Sequence, residues 1–303
     1  MTSSFAVSNK DHEKVVAQWE LEYRIPESKG SSVLSAQAQF SQICSALKGI
    51  VSPGKTAVPF SRVRTVQGGV LLHGPPGCGK THLVQAAAGE LGLPLFVAQP
   101  AHAVGVYFGE TGRALTSLFE AGQRVAAKGK GAVLFLDELE AYGRRSANPD
   151  AIAYNMMMAN VLKLIDLASA AEGGNRLAIV GATNMPDACD PALLSRMSTR
   201  LEIPIPDSIS RRAFFEGNIA DARAAGFDID PQNRMEALVS ATDGLSTRAL
   251  SQLLDAVNAL VLSGDGAASL GRMDLLDALT IVVEAKGSTE ADRRLREGFG
   301  GYT

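Results

Sequence analysis

Residues 74–81 read GPPGCGKT, the spacing G-x-x-x-x-G-K-[ST] of a loop that cradles phosphate. An apolar run, GVLL at 69–72, precedes it, and a helical pattern at about 80–91 follows. That strand–loop–helix order is the context the motif requires, and it disfavours the competing reading of a chance glycine-rich turn. Gly74, Gly77 and Gly79 let backbone N–H groups curl around phosphate oxygens, because a residue without Cβ reaches left-handed backbone angles freely. The helix beginning near Lys80 aims its positive N-terminal end at the same anion. The Lys80 ammonium is expected on the β- and γ-phosphates, and the Thr81 hydroxyl on Mg²⁺. The run Gly74, Pro75, Pro76, Gly77, Cys78, Gly79, Lys80, Thr81 and His82 is thus the expected nucleotide cradle for ATP or ADP.

Fifty residues on, AVLFLDE at 132–138 is an apolar run that ends in two carboxylates. Acids at the end of a buried strand destabilise unless they have partners. A Mg²⁺ ion and an attacking water would supply them. Asp137 is expected to hold the metal through water, and Glu138 to act as the general base that orients and polarises the nucleophile. An exposed acidic turn is the plain alternative, and the neighbouring phosphate loop weighs against it.

Around these two motifs, short apolar runs alternate with helical patterns. The runs are 69–72, 93–98, 132–136, 176–182 and 200–205, and the helical patterns fill about 80–91, 111–128, 151–170 and 187–195. The alternation predicts βαβ units: an α/β domain with a parallel five-stranded sheet covered by helices on both faces. After Pro206 the apolar runs stop. Helical patterns at about 208–225, 231–241, 246–263 and 272–286 predict a small all-helical domain. Upstream, a charged helix over 10–24 and a second helix from about Ser32 to Leu47, ending near Gly49, precede a turn-rich connector. The expected organisation is an N-terminal helical accessory segment and linker at 1–59, a nucleotide-binding αβα domain at 60–206, a helical lid at 207–290 and a tail at 291–303.

Composition narrows the function classes. The 303 residues carry a net charge of −3, so nothing global draws the chain to nucleic acid or an anionic membrane. No stretch reaches about 18 uninterrupted apolar residues, and the N-terminus has no basic-then-apolar leader, so neither a membrane span nor a signal peptide is expected. The three cysteines, Cys44, Cys78 and Cys189, are scattered and form no metal-ligand spacing. A reducing cytoplasm is the expected setting.

Further motifs stand in order behind the phosphate loop: VYFGET at 106–111, AIVGATN at 178–184, DPALLSR at 190–196 and GLSTRAL at 244–250. Together with the two motifs above they resemble the AAA branch of the AAA+ ATPases over about residues 33–290. The resemblance implies ATP hydrolysis with Mg²⁺. It makes Asn184 the sensor that helps fix the attacking water. It places an arginine finger in 190–200, acting in a neighbouring subunit, with Arg196 favoured and Arg200, one helical turn on, the other candidate. The family usually shows two arginines three apart around Pro-Gly, and SRMSTR departs from that. Tyr107, Phe108 and Gly109 match the central pore loop that grips polypeptide. Arg248 resembles a second sensor reaching from the lid to the γ-phosphate. The departures together resemble the subgroup that remodels HORMA-domain proteins. Arg144 and Arg145 match basic residues facing a neighbouring subunit, with a solvated loop the equal alternative.

The resemblance implies a homo-oligomeric ring, in the family a hexamer, which remodels or disassembles a protein substrate, with room for an adaptor. The rival classes are a nucleic-acid-handling loader or helicase accessory, a slow nucleotide-gated switch, and a reactivase of an inhibited metabolic enzyme. The aromatic pore candidate, followed by Glu110 rather than by basic residues, speaks against the first rival.

Overall fold

The computed structural model of the chain describes residues 23–28, 30, 33, 35–52, 68–98, 110–142, 151–170, 176–226 and 235–263. The pore-loop residues Tyr107, Phe108 and Gly109, the Arg144–Arg145 pair, most of 1–59, the predicted helix at 272–286 and the tail lie outside them.

The chain divides into two compact units. The first comprises Met1–Val33, Gln37–Gly74 and Lys80–Ile203. It is built on a parallel five-stranded sheet of order β2-β3-β4-β1-β5, with β1 Val70–His73, β2 Leu95–Ala98, β3 Ala132–Leu136, β4 Leu177–Thr183 and β5 Thr199–Glu202. Burial follows position in the sheet. All five residues of β3 and all seven of β4 are buried, while edge strand β5 alternates half-buried and exposed. Central strands covered on both faces read as unbroken apolar runs, and an edge strand needs only one apolar face. The predicted strand at 200–205 ends early, at Glu202, because Pro204 and Pro206 cannot donate to a ladder.

Helices α1 Gln37–Val51, α2 Lys80–Leu91, α3 Glu110–Lys128, α4 Ala151–Ala170 and α5 Pro191–Arg196 complete this unit. Helix α1 corrects the expected span of about 32–47. It starts later and runs through Gly49, because Ile50 and Val51 are buried and the Val51 carbonyl accepts the Arg176 N–H at 3.2 Å. The predicted single helix at 187–195 is instead a 3₁₀ turn, Pro186–Ala188, and then α5. Asp190 divides them. Its carboxylate caps α5 by accepting the Ala192 N–H at 2.7 Å, and Pro191 takes the first helical position, where no N–H is needed. The predicted helix over 10–24 does not reach its last residue. Arg24 is extended, and its carbonyl accepts the Leu95 N–H at 2.9 Å, covering the open edge of β2.

The second unit comprises Leu34–Ala36, Pro75–Gly79 and Pro204–Thr303. Its helices among the described residues are α6 Ser208–Ala224, α7 Met235–Ala241 and α8 Thr247–Ser263. Phe214, Phe215, Leu238, Leu250 and Leu253 form its core. Arg211 is buried in this unit and each of its three guanidinium nitrogens has a partner: Nη1 donates to the Pro206 carbonyl, Nε to the Val239 carbonyl, and Nη2 pairs with Asp243. A buried guanidinium destabilises unless its donors are satisfied, and here it ties the chain just before α6 to the end of α7. Among the described residues no helix is long and apolar enough to cross a membrane.

Candidate functional site

The phosphate loop joins the end of β1 to α2. Gly74, Gly77 and Gly79 all have positive φ, of 146°, 77° and 89°. Their reasons differ. A Cβ on Gly74 would lie 2.1 Å from the Ile203 carbonyl oxygen, so close passage of the chain after β5 demands glycine there. At Gly79 a Cβ would meet nothing within 4 Å, so only the backbone angle demands it. Within the second unit, the Gly77 carbonyl accepts the Arg248 backbone N–H at 2.9 Å, and the Ser246 hydroxyl caps α8 through the Ala249 N–H. The Arg248 side chain is exposed. Cys78 is buried and forms no disulfide, and His82 is exposed on α2.

Lys80 opens α2 and is only 8% exposed. Its ammonium donates to the Gly74 carbonyl at 2.7 Å and to Asn184 Oδ1 at 2.6 Å. Asn184 follows β4, and β4 pairs directly with β1. The sheet order therefore brings a lysine and an asparagine 104 residues apart to one point. Beside them the Thr81 hydroxyl donates to Asp137 Oδ2 at 2.9 Å, and Asp137 Oδ1 accepts the Glu138 N–H at 3.0 Å. Thr81 and Asp137 offer hard oxygen donors side by side at a helix start, which is the chemistry Mg²⁺ takes.

Glu138 is the one non-glycine residue at positive φ among the described residues, with φ 51° and ψ 55°. A left-handed glutamate costs about 1 kcal/mol. The cause lies on either side of it. Leu136 ends a fully buried strand, and Leu139, fully buried, must reach under β4, where Gly181 makes room. A Cβ on Gly181 would come 2.9 Å from Leu139 Cδ2. Tyr142 closes the turn, its hydroxyl donating to the Ala98 carbonyl at 2.9 Å. Burial, with the Asp137 and Glu138 charges adding, pushes the tyrosine pKa well above its ordinary range, so it stays a donor. The chain thus turns sharply and leaves Glu138 exposed at the sheet edge.

The arginines sit apart from this cluster. Arg196 ends α5 and Arg200 lies on β5, so the two are not one helical turn apart as expected; the helix stops at Met197. Arg196 Nε and Nη2 donate to both oxygens of Asp166 on α4, and Nη1 donates to the Ala192 carbonyl. Arg200 Nη2 donates to the Leu194 carbonyl at 2.6 Å. Sequence reasoning missed Asp166, an ordinary surface acid of a helix by every local sign. It also passed over Glu140, whose signal was its place as the third acid of DELE.

Comparison with known proteins agrees with this geometry. Residues 70–205 match the model of the ATPase family associated with various cellular activities (AAA). The ATP-dependent zinc metalloprotease FtsH 3 of Sphaerobacter thermophilus is 36% identical over 64% of this chain and 38% of its own length. The 26S proteasome subunit RPT4 of Saccharomyces cerevisiae is 32% identical over 59% of this chain and 39% of its own. The outer mitochondrial transmembrane helix translocase of Xenopus tropicalis is 29% identical over 67% of this chain and 54% of its own. The chain therefore spans only part of these relatives, between 38% and 54% of their length. With the phosphate loop, the acidic strand end and Asn184 assembled on a sheet of order β2-β3-β4-β1-β5, residues 70–205 form an AAA ATPase domain.

Proposed function

We propose that the chain hydrolyses ATP as one subunit of a ring and uses the turnover to remodel a protein. The observation that carries the hydrolytic part is the convergence of Lys80, Asn184, Thr81 and Asp137 through hydrogen bonds of 2.6 to 2.9 Å. In this reading the Lys80 ammonium exchanges the Gly74 carbonyl and Asn184 Oδ1 for β- and γ-phosphate oxygens. Thr81 and Asp137 hold Mg²⁺, which neutralises charge on the transferring phosphoryl group when bound. Glu138 takes a proton from the attacking water as its oxygen bonds to the γ-phosphorus. The bond from that phosphorus to the β–γ bridging oxygen breaks, ADP leaves with that oxygen, and the proton passes from the exposed Glu138 to solvent. Asn184 orients the water. Arg196 works on the γ-phosphate of a neighbouring subunit, and Arg248 contributes a second cation.

The remodelling part rests on the relatives, which are named as an ATP-dependent zinc metalloprotease, a 26S proteasome subunit and an outer mitochondrial transmembrane helix translocase, and on the Tyr107-Phe108-Gly109 triplet as a pore grip. The HORMA-domain subgroup reading rests on the sequence departures alone. Three buried cysteines that form no disulfide fit work in a reducing cytoplasm. ATPase activity per subunit, measured against protein concentration for wild type and Arg196→Ala, tests the shared site. Activity should rise with concentration and collapse in the variant. A rate independent of both would withdraw the ring and the finger. Tyr107→Ala should keep basal turnover and lose remodelling, and unchanged remodelling would remove the pore grip.

A further inference from the structure

Glu140 has no part in the chemistry above, yet the fold goes to some length to place it. It sits on the 3₁₀ turn Leu139–Ala141, directly after the acidic strand end. That turn is pinned on both sides: Leu139 is fully buried against Gly181 of β4, and the Tyr142 hydroxyl is fastened to the Ala98 carbonyl at the end of β2. So held, Glu140 extends its carboxylate under the chain that leaves β4. Oε1 lies 3.5 Å from the Asn184 backbone nitrogen and accepts its N–H, a long bond. Oε2 is walled off from solvent and has no hydrogen-bond partner among the described residues.

A carboxylate with half its acceptor capacity sealed away and unused is a burden on folding. Burial pushes the pKa of the Cys189 thiol up, the Thr183 hydroxyl opposes that, and the Glu140 charge adds to it. A neutral or apolar side chain would suit the fold better at this position. What the carboxylate does accomplish is local. It ties the backbone at Asn184, the residue whose side-chain Oδ1 meets the Lys80 ammonium at 2.6 Å. From the other side the Thr183 hydroxyl, itself buried, accepts the Met185 N–H at 3.0 Å and the Cys189 thiol proton. Asn184 is exposed and lies between these two ties. Without the Glu140 tie, nothing else among the described residues accepts its backbone N–H.

We propose that Glu140 is a positioning residue for ATP hydrolysis: by accepting the Asn184 N–H it sets the direction of the Asn184 side chain beside Lys80. Glu140 touches no reacting atom and acts only through Asn184. The inference rests on the role given to Asn184 in the proposed function. A misdirected Asn184 should leave ATP bound, since the phosphate loop is untouched, but slow the chemical step, because a small displacement of an orienting group weakens water placement.

The test is a cycle of variants read as kcat and KM for ATP: Glu140→Ala, Glu140→Gln, Asn184→Ala and the double variant Glu140→Ala/Asn184→Ala. Glu140→Ala should lower kcat about tenfold and move KM by less than about twofold. Glu140→Gln should recover most of the loss, because its amide oxygen accepts the same N–H. The double variant should be no slower than Asn184→Ala alone, since the two act as one unit. Glu140→Met, which fills the space without an acceptor, replaces the alanine if that variant folds poorly. Wild-type kcat in Glu140→Ala beside a slow Asn184→Ala overturns the inference and leaves the proposed function standing. Multiplying losses in the double variant, or no recovery with glutamine, also overturn it. Full kcat in Asn184→Ala removes the role of Asn184 itself, and the positioning role with it.

Discussion

Arg196 and Asp166 meet through two parallel hydrogen bonds, Nε to Oδ1 at 2.8 Å and Nη2 to Oδ2 at 3.0 Å. This bidentate fork is the geometry that gives arginine–carboxylate pairs their directionality. Both side chains are substantially exposed, 33% and 57%, so the pair contributes little to stability. Its effect is to hold the guanidinium plane at the end of α5. Arg196→Ala should therefore shift the unfolding free energy by less than about 1 kcal/mol. If Arg196 is the finger, the same change should lower assembled ATPase activity by about a thousandfold. A thermal melt run beside the ATPase assay checks both. Equal loss of folding and activity would make the arginine structural.

Glu138→Gln keeps the size of the side chain and removes the proton acceptor. Turnover should fall by about a hundredfold or more while ATP stays bound. Binding of a fluorescent ATP analogue, measured next to steady-state hydrolysis, separates the two. Turnover equal to wild type would mean that Glu138 is not the base.

Two glycines of the same loop should respond differently to alanine. At Gly74 the new Cβ would meet the Ile203 carbonyl oxygen at 2.1 Å, so the chain beyond β5 must move, at a cost of about 2–4 kcal/mol. At Gly79 there is open space, and only the φ of 89° resists, at about 1 kcal/mol. Denaturant unfolding of Gly74→Ala and Gly79→Ala should show this order. Both should lose ATP affinity, but Gly79→Ala should do so as a folded protein.

Asp207 caps α6, its carboxylate accepting the Ser210 N–H at 2.8 Å. That hydrogen bond, with Arg211 adding, holds its pKa below the ordinary 3.8. A group whose pKa is lower folded than unfolded stabilises the fold above the unfolded value, and loses that effect as pH falls through the folded one. Asp207→Asn keeps a capping oxygen that does not titrate. Wild type should therefore lose stability relative to Asp207→Asn as the pH falls below 3.8. Melting temperatures of both proteins across the acid range would show it, and parallel curves would assign the lowered pKa no role in folding.

Patterns carried by neighbouring residues were legible in the chain. The glycine spacing of 74–81, the apolar run closed by Asp137 and Glu138, and the helical periods that became α2 and α4 each lie within one segment. Glycine angles, strand burial and helix faces leave local signatures, so the fold class and the strand–loop–helix around 74–81 could be named in advance. Segment ends were less legible where a distant partner set them, as at Val51, held by Arg176, and at Arg24, drawn onto the edge of β2.

Sequence alone thus determined that this chain has a phosphate loop, an acidic strand end and an alternating α/β domain. Tertiary structure decided which side chains meet. Placing β4 beside β1 is what puts Asn184 on Lys80, and packing Leu139 under Gly181 is what turns Glu138 left-handed and aims Glu140 at Asn184. It also separated Arg196 and Arg200 onto a helix and a strand, and gave Arg196 to Asp166. The physical reason is common to all of these. A charged or polar residue on a helix or turn has the same local pattern whether water or a distant side chain satisfies it, and only closure of the chain over many residues selects the partner.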